Sequence, residues 1–489
     1  MNASVHNYCK VVLRTKSSKN FSSAHIPNHS IRGRLSKIPR QFVRVKIDER
    51  AKTVMKPATS RSLAIARDRL QQGLPVFNFG QGESPFDPPH FVVDAMRNYA
   101  DRSRYPFPPG IMQLREAIAS FYSNIFGLHI KPANVLIGPG GRPVIDLLFR
   151  CLDHVFIIPT PSWVSYQGIL NFIGRKFYFL HTLSGNDFRL KPMDLDKFLK
   201  DYMSNHRVPP VVVLTIPENP QGGTYQPSEL EEFTKIARRY EVVLVTDEMY
   251  SLLHHEGERN TMMNYYPEGS IIIDGASKAL SAPGWRISFA IISDRIAEVK
   301  KDKITRLTEK AIEDIPGHVW GGTNVPAQHA LVEAYNQHAR LIAHLTKEQR
   351  ILAAAAKAVG QRLSQEIFPG DEKFHAPSVQ AGLYSFVRLP KGVMDRLSEK
   401  GFTTTDKIAQ GILRDTGVLL IGGEHFGRST TEGTFRLTYA AEIDGKKSIQ
   451  AIGTMPSEGP LPDTFTEQTS PRLIQGVDLF IDWIKRKSS

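Results

Sequence analysis

Cysteine and long apolar runs are both scarce in this chain of 489 residues. The two cysteines, Cys9 and Cys151, lie far apart in sequence and form neither a metal-binding spacing nor a disulfide framework, which favours a reducing compartment. No apolar run reaches the roughly 18 residues that a membrane-spanning helix requires. We therefore expect no metal site, no disulfide scaffold and no membrane-spanning segment.

The first 47 residues contain no aspartate or glutamate, although they hold ten lysines and arginines. Most of the net charge of +13 lies there, because removing those ten from the 62 basic residues leaves 52 to face 49 acidic ones. A basic, serine-containing, acid-poor tail is typical of an organelle transit peptide, and a basic arm without a targeting role is the alternative. We expect the mitochondrial matrix if residues 1–47 are a transit peptide and the cytoplasm otherwise. The tail has no nucleic-acid-binding motif, so we expect no nucleic-acid partner.

From Asp48 onward, short apolar runs alternate with helical patterns. The runs of strand length are Val155–Pro159, Val211–Pro217, Val242–Glu248, Ser270–Gly275 and Ile287–Ile292. Continuous apolar strands that alternate with helices predict an α/β fold, in which a parallel sheet is covered on both faces.

The spacing of these patterns also predicts a domain organisation. Residues 90–340 are expected to form a large domain, and residues 48–89 together with 341–489 a smaller one. Ala327–Leu363 has the pattern of one long helix that links them. Residues 446–470 are rich in Pro, Ser and Thr, which predicts a polar surface loop or insertion.

Three polar residues follow the ends of predicted strands, where parallel α/β sheets bind their ligands. Asn219 follows one strand, Asp247 ends the next and Lys278 follows a third. Taken singly, each has an ordinary structural explanation as a turn residue, a capping carboxylate or a surface lysine. Together they suit a phosphorylated pyridine aldehyde: a lysine can form a Schiff base with it, and a carboxylate can keep its ring nitrogen protonated.

Eight sequence segments, which follow one another along the chain, support that interpretation. They are Phe77–Pro89, Tyr105–Ile118, Gly138–Pro143, Pro159–Tyr166, Pro217–Gly223, Thr246–Tyr250, Ser277–Arg286 and Thr434–Ala440. In these segments the chain resembles the fold type I pyridoxal 5'-phosphate-dependent aminotransferases, within the class I/II, aspartate-aminotransferase-like group. The resemblance covers about residues 55–440. It implies a large domain with a mostly parallel seven-stranded sheet sandwiched by helices, and a smaller α+β domain.

The resemblance also implies roles around the cofactor ring. Lys278 is expected to be the Schiff-base lysine and the acid/base that moves the substrate proton. Asp247 is expected to pair with the ring nitrogen, and Asn219 and Tyr250 with the ring hydroxyl. Trp163 is expected to stack on the ring. Lys278, Asp247 and Tyr250 are therefore the catalytic residues that the resemblance implies.

The same resemblance implies a phosphate site made of Gly140, Gly141, Ser277 and Arg286. Tyr105 is expected to reach the phosphate in a neighbouring subunit, which implies a homodimer with shared active sites.

Substrate contacts are implied for Gly82 and Asn219, and for Arg436 as the clamp on the α-carboxylate. Arg142 stands in the turn where some relatives bind a distal carboxylate through a lysine, so we hypothesise that it selects aspartate or glutamate; a surface arginine or an extra phosphate contact is the alternative. Ser288 departs from the family pattern, which has glycine there.

We therefore predict a ping-pong aminotransferase that exchanges the amino group of an L-amino acid with a 2-oxo acid. A β-lyase, synthase or oxidase on the same scaffold is the alternative, because those enzymes share the lysine, aspartate and arginine set. A cofactor-binding regulator without catalysis is the remote alternative, because such regulators carry a winged-helix domain for which residues 1–47 are too few.

Overall fold

The computed structural model describes residues 46–53, 59–255, 259–301 and 303–489. The chain divides into two compact units, Met1–Asp48 and Glu49–Ser489. The predicted transit peptide falls in the first unit, which lies outside the described residues except for 46–48. None of the helices in the described ranges is long and apolar enough to cross a membrane.

The strands of the second unit are short, and most of their residues are buried. In chain order they are β1 (Phe77–Asn78), β2 (Val135–Gly138), β3 (Phe156–Thr160), β4 (Phe177–His181), β5 (Val211–Thr215), β6 (Val243–Asp247), β7 (Ser270–Gly275), β8 (Ser288–Ile292), β9 (Ala297–Lys300), β10 (Lys303–Arg306), β11 (Ile367–Phe368), β12 (Glu372–Lys373), β13 (Ser385–Arg388), β14 (Val418–Leu419), β15 (Ile421–Gly422) and β16 (Thr434–Leu437).

The helices alternate with these strands through most of the unit. They are α1 (Glu49–Thr53), α2 (Thr59–Gln71), α3 (His90–Asn98), α4 (Met112–Phe126), α5 (Gly141–Cys151), α6 (Ser165–Ile173), α7 (Pro192–Asn205), α8 (Pro227–Tyr240), α9 (Met262–Tyr265), α10 (Pro316–Val319), α11 (Val325–Asn336), α12 (His338–Gln365), α13 (Lys391–Glu399), α14 (Thr405–Thr416), α15 (Gly445–Ile452), α16 (Phe465–Thr469) and α17 (Pro471–Ser488).

A seven-stranded sheet with the order β2-β8-β7-β6-β5-β3-β4 organises the unit. Strands β7, β6, β5, β3 and β4 run parallel, whereas β8 is antiparallel to both of its neighbours. The predicted α/β class with a mostly parallel seven-stranded sheet is therefore confirmed. Because the strands are parallel, β5, β6 and β7 all end at the same edge, and this places the predicted site residues side by side.

Helices cover both faces of this sheet, which explains why its central strands are mostly apolar. Along β5, Val211 and Val213 belong to one hydrophobic core with residues of α5, such as Leu148. Val212 and Leu214 belong to another core on the opposite face, with residues of α7 and α8. Because successive side chains of a strand point to opposite faces of the sheet, β5 contributes to both hydrophobic cores.

A separate antiparallel sheet, β13-β16-β15, lies later in the chain and carries Arg436 on its middle strand. Helices α13, α14 and α17 pack together near it. Strand β1 pairs in parallel with β14, which joins residues before the seven-stranded sheet to residues long after it.

Two local expectations were wrong. The helix expected over Ala327–Leu363 is interrupted at Gln337, where α11 ends and α12 begins. The segment 446–470 is not a loop throughout, because it contains α15 and α16. Phe465 is buried in the main hydrophobic core, so a few apolar side chains anchor a segment whose composition is mostly polar.

Candidate active site

A cavity of about 540 Å³ opens at the carboxyl edge of the seven-stranded sheet. Most of the residues predicted from the sequence line it: Gly82, Gly141, Arg142, Trp163, Asn219, Asp247, Tyr250, Ser277, Lys278, Arg286 and Arg436. Gly140 lies beside the cavity, because a Cβ atom there would be 2.3 Å from Nη2 of Arg286. Tyr105 of the same chain does not line this cavity.

Lys278 reaches the cavity because β7 ends at Gly275 and the following loop turns across the sheet edge. Its Nζ atom donates to the carbonyl oxygen of Gly82 and lies 5.9 Å from the centroid of the Tyr250 ring. The amine therefore faces the glycine-rich segment that precedes the sheet. A primary amine held at a cavity wall by the Gly82 carbonyl and by a hydrogen bond with the Tyr384 hydroxyl can attack an aldehyde or carry a proton.

Asp247 is the last residue of β6 and is buried beside the cavity. Its Oδ2 atom accepts a 2.6 Å hydrogen bond from the hydroxyl of Tyr166, and its Oδ1 atom accepts from the amide of Met249 at 3.3 Å. Burial raises the pKa of Asp247, while the bonds from Tyr166 and Met249 and the charge of Lys278 oppose that rise. Because burial dominates, a cation placed beside Asp247, such as a protonated ring nitrogen, would stabilise its ionised form.

A network of polar side chains joins the loop after β5 to the separate antiparallel sheet. Asn219 Nδ2 donates to the Tyr250 hydroxyl at 3.4 Å, and the Tyr250 and Tyr384 hydroxyls are 2.8 Å apart. Arg436 donates to Asn219 Oδ1 at 3.4 Å and to the carbonyl of Gly80 at 2.7 Å. Residues from five separate parts of the chain therefore form one polar wall.

Tyr384 lies at the centre of this wall. Its ring stacks against the Arg436 guanidinium, with 4.5 Å from the guanidinium carbon to the ring centroid. Burial alone would raise the pKa of Tyr384, but Lys278, Arg436 and the bond with Tyr250 together bring it below its ordinary value. Two cations near one hydroxyl stabilise its deprotonated form, so this group can share a proton with Lys278.

The N-terminus of α5 forms an anion cradle. Gly140 precedes the helix with a φ of 107°, a conformation that favours glycine, and Gly141 begins the helix. The first amides of a helix have no partner within it and attract anions. Arg286, itself at φ 56°, places its guanidinium against Gly140 and donates to the Pro283 carbonyl at 2.7 Å.

Arg142 occupies the same turn, one residue further along α5. Its Nε atom donates to Ser165 Oγ at 3.0 Å, and its guanidinium carbon lies 5.1 Å from the Trp163 ring centroid. Burial lowers the pKa of Arg142, and so does the nearby Arg286. Two guanidinium groups this close together favour an anion between or beside them.

These groups fit pyridoxal 5'-phosphate. The cradle offers helix amides, Ser277 and Arg286 to a phosphate, and Asp247 offers a carboxylate to a ring nitrogen. Lys278 offers the amine that the aldehyde requires. The donor set therefore covers each of the three recognisable parts of this cofactor.

Tyr105 is 99% exposed in the single chain and so contacts no cofactor there. The neighbouring Phe107 is 63% exposed, and Val319 of α10 is 50% exposed. Pro108 lies close to Gly317 within that helix, and Pro106 lies close to Gly322, three residues after the helix ends. These exposed apolar side chains therefore form a surface that a second subunit could cover.

Two residues of the site were not predicted from the sequence. Tyr166 ends the segment Pro159–Tyr166, three residues after Trp163, but nothing in that segment indicates that its hydroxyl bonds to Asp247. Tyr384 belongs to none of the eight segments that carry the family resemblance. The signal that could have identified it is the "GLYSF" segment, in which Tyr384 lies two residues after Gly382 and directly before β13.

Comparison with known proteins gives concordant findings. The family model described as aminotransferase class I and II matches residues 75–453. Aspartate aminotransferase of Bacillus sp. (strain YM-2) is 27% identical over 405 residues, which cover 81% of this chain and 95% of that protein. The asparagine–oxo-acid transaminase of Streptococcus mutans is 25% identical over 422 residues, covering 83% and 98%. The structure of Thermus thermophilus aspartate aminotransferase with maleate shares the fold, with a TM-score of 0.70 at 22% identity, over 90% of this chain and 100% of that one.

Proposed function

Because its chain belongs to the aminotransferase class I and II family, this protein is a pyridoxal 5'-phosphate-dependent transaminase, and we propose that Lys278, Asp247 and Arg436 carry out its chemistry. It transfers an amino group between an amino acid and a 2-oxo acid in a ping-pong reaction. The observation that carries the assignment of residues is their convergence on one cavity from three separate segments of the chain.

The cofactor, when bound, supplies an aldehyde that condenses with amines and a ring that withdraws electrons. Asp247 would hold the proton on the ring nitrogen, which requires the carboxylate to be ionised. Asn219 and Tyr250 would donate to the ring hydroxyl, and Trp163 would pack against the ring. Lys278 would take the proton from the substrate α-carbon and deliver it to the cofactor.

Arg436 is the proposed partner of the substrate α-carboxylate. It is buried, and among the described residues no carboxylate forms a salt bridge with it. Its Nε atom has no hydrogen-bond partner in the same part of the chain. A buried guanidinium without a counter-ion is unfavourable, so an incoming carboxylate gains a strong, bidentate partner.

Arg142 would set the preference for dicarboxylic substrates. It lines the same cavity as Arg436, and its position against the Trp163 ring restricts its orientation. With Arg286 proposed for the phosphate and Arg436 for the α-carboxylate, a further guanidinium in the cavity favours a substrate with a second carboxylate, such as aspartate or glutamate. The names of the relatives, which include aspartate aminotransferases, agree with this preference.

Tyr105 would complete the site of a second copy of this chain, so that the working enzyme is a homodimer. Its complete exposure and the exposed Phe107 and Val319 support this arrangement. In the same proposal, residues 90–340 form the large cofactor-binding domain, and residues 48–89 with 341–489 form the smaller one. The seven-stranded sheet, from Val135 to Ile292, lies wholly inside the first of these ranges.

Delivery to the mitochondrial matrix is proposed only for the case in which residues 1–47 act as a transit peptide, and the cytoplasm is the alternative. The basic, acid-free composition of that segment supports the proposal. Imaging of the full chain beside a chain that lacks residues 1–47, each fused to a fluorescent protein at its C-terminus, distinguishes the two compartments.

The test of the function is a half-reaction. The purified protein is mixed with an amino acid alone, and the absorbance of the bound cofactor is followed as it converts to pyridoxamine 5'-phosphate, which a 2-oxo acid should reverse. Release of pyruvate and ammonia without an acceptor would instead indicate a β-lyase.

The lysine assignment has its own test. Borohydride reduction followed by peptide mapping should find the cofactor on Lys278, and the Lys278→Ala variant should not be labelled. Lys235→Ala, which removes an exposed lysine of α8, is the matched control and should be labelled like the wild type. Labelling of another lysine in the Lys278→Ala variant would refute the assignment.

A further inference from the structure

Ser288 is a departure from the family pattern that the proposed chemistry leaves unexplained. It is the first residue of β8, and its Cα atom pairs with Gly138 of β2 on one side and Gly275 of β7 on the other. One of these strands leads into the turn at Gly140, and the other leads into the loop of Lys278. Ser288 therefore lies between the two segments that build the anion cradle.

The glycines around Ser288 leave room for its hydroxyl group. A Cβ atom on Gly275 would lie only 2.3 Å from Ser288 Oγ, so the hydroxyl occupies the space of a missing side chain. A Cβ atom on Gly141 would lie 4.0 Å from the same oxygen. The hydroxyl thus lies between Gly275 and the first turn of α5, where the helix amides have no partner within the helix.

This hydroxyl has no hydrogen-bond partner among the described residues, and Ser288 is fully buried. A buried hydroxyl without a partner is unfavourable, so the site is expected to supply an acceptor. The nearby carbonyl of Gly138 already accepts a 2.8 Å bond from the amide of Gly140. An anion held by the α5 amides and Arg286 would be an acceptor on the α5 side of the hydroxyl.

We propose that Ser288 is a phosphate-binding residue of this enzyme and donates its hydroxyl hydrogen to the phosphate group of pyridoxal 5'-phosphate. The proposal rests on the proposed function, because it adds a donor to the same cofactor site. In this chain Gly275 and Ser288 act as a pair, since only a glycine at 275 leaves space for the hydroxyl at 288. The donor set of the cradle then comprises the amide of Gly141 and the side chains of Ser277, Arg286 and Ser288, since the Gly140 amide already donates to the Gly138 carbonyl.

The experiment compares two probes that differ only in the phosphate. The full-length chain, freed of cofactor, is titrated with pyridoxal 5'-phosphate and separately with pyridoxal. Ser288→Ala and Ser288→Gly should each weaken the binding of pyridoxal 5'-phosphate about tenfold, the effect of one hydrogen bond to a charged group, and leave pyridoxal binding unchanged. At one fixed concentration, inorganic phosphate should also raise the apparent Kd for pyridoxal 5'-phosphate by a smaller factor in these variants than in the wild type.

Ser270→Ala is the matched control. Ser270 lies at the opposite end of β7, is also fully buried and also lacks a hydrogen-bond partner in the described chain. Its substitution should leave the affinity for both probes unchanged. Ser288→Gly restores the family's residue, so it keeps the test decisive if Ser288→Ala does not fold, as thermal unfolding would show.

Two results would overturn the proposal: wild-type affinity of both Ser288 variants for pyridoxal 5'-phosphate, or equal weakening for pyridoxal 5'-phosphate and pyridoxal. Failure of the wild type to bind pyridoxal 5'-phosphate is a different result, which would refute the proposed function itself.

Discussion

The hydroxyl of Tyr166 donates a 2.6 Å hydrogen bond to Oδ2 of Asp247, and both side chains are buried. The same hydroxyl lies 3.1 Å from Thr215 Oγ1, on the strand beside Asp247. Asp247 is therefore held in place by a neighbour from α6 as well as by its own strand. This bond opposes the rise that burial imposes on the pKa of Asp247.

Tyr166→Phe should narrow the pH range of activity from the acid side. Loss of the donor raises the pKa of Asp247, and Asp247 must be ionised to hold a proton on the ring nitrogen. The acidic limb of the kcat/KM profile should therefore move to higher pH by about one unit. Tyr178→Phe, which removes an exposed hydroxyl on β4, should leave the profile unchanged. An unshifted acidic limb in Tyr166→Phe would contradict this role.

Tyr384 should contribute its hydroxyl and its ring separately. Tyr384→Phe removes the contacts with Tyr250 and Lys278 but keeps the ring against Arg436, so kcat should fall about tenfold with little change in KM. Tyr384→Ala should in addition raise the KM for the amino acid, because Arg436 loses the ring that orients it. Steady-state kinetics on both variants separates the two effects. A rise in KM in Tyr384→Phe as large as that in Tyr384→Ala would contradict the separation.

Arg142→Ala should change substrate preference. The kcat/KM for aspartate should fall about tenfold or more, because a distal carboxylate loses its cation, while the values for alanine and phenylalanine should change much less. Arg150→Ala on the same helix is the control, since that side chain is exposed and pairs with Asp146. Equal losses for all three amino acids would show that Arg142 does not read the distal carboxylate.

A shared active site predicts complementation between inactive variants. Lys278→Ala and Tyr105→Ala chains should each be nearly inactive as homodimers. When they are unfolded and refolded together, the mixed dimer contains one site with both native residues, so the mixture should recover activity that neither variant has alone. Light scattering should report a dimer for the wild type. Activity that stays absent in a refolded mixture of proven mixed dimers would place Tyr105 outside the partner's site.

Glu248 should make the protein less stable as the pH rises. This buried carboxyl accepts from Thr246 Oγ1 at 2.9 Å and from the Met262 amide at 3.2 Å, and burial raises its pKa to about 8. Between its unfolded pKa, near 4.5, and about pH 8, the folded chain binds a proton that the unfolded chain has released. The free energy of unfolding should therefore fall across this window.

Glu248→Gln removes the titrating group, so its free energy of unfolding should fall less between pH 5.5 and pH 8 than that of the wild type. Urea unfolding at the two pH values measures the difference. Glu231→Gln, on the exposed face of α8, should behave like the wild type. The same pH dependence in Glu248→Gln and the wild type would assign the effect to other carboxyls.

The sequence by itself determined the fold class and most of the site. Continuous apolar strands between helices require a sheet covered on both faces, and the end of each parallel strand must lie at one edge. Asp247 at the end of one strand, and Asn219 and Lys278 after the ends of two others, were therefore expected to meet, and the structure brings them to one cavity. The family resemblance indicated the glycine turn before α5, and the structure gives the reason for glycine there, since Gly140 has a positive φ.

Only the tertiary structure decided which distant side chains complete that site. Tyr384 reaches it from the position directly before β13, and no periodicity in the sequence says that this sheet packs beside the loops that follow β5 and β6. The break at Gln337 and the burial of Phe465 likewise depend on contacts with remote parts of the chain. Ser288 was only an unusual residue in a motif until the pairing of β2, β8 and β7 placed its hydroxyl under the anion cradle. Sequence patterns report local burial, whereas long-range pairing depends on how separate surfaces fit together.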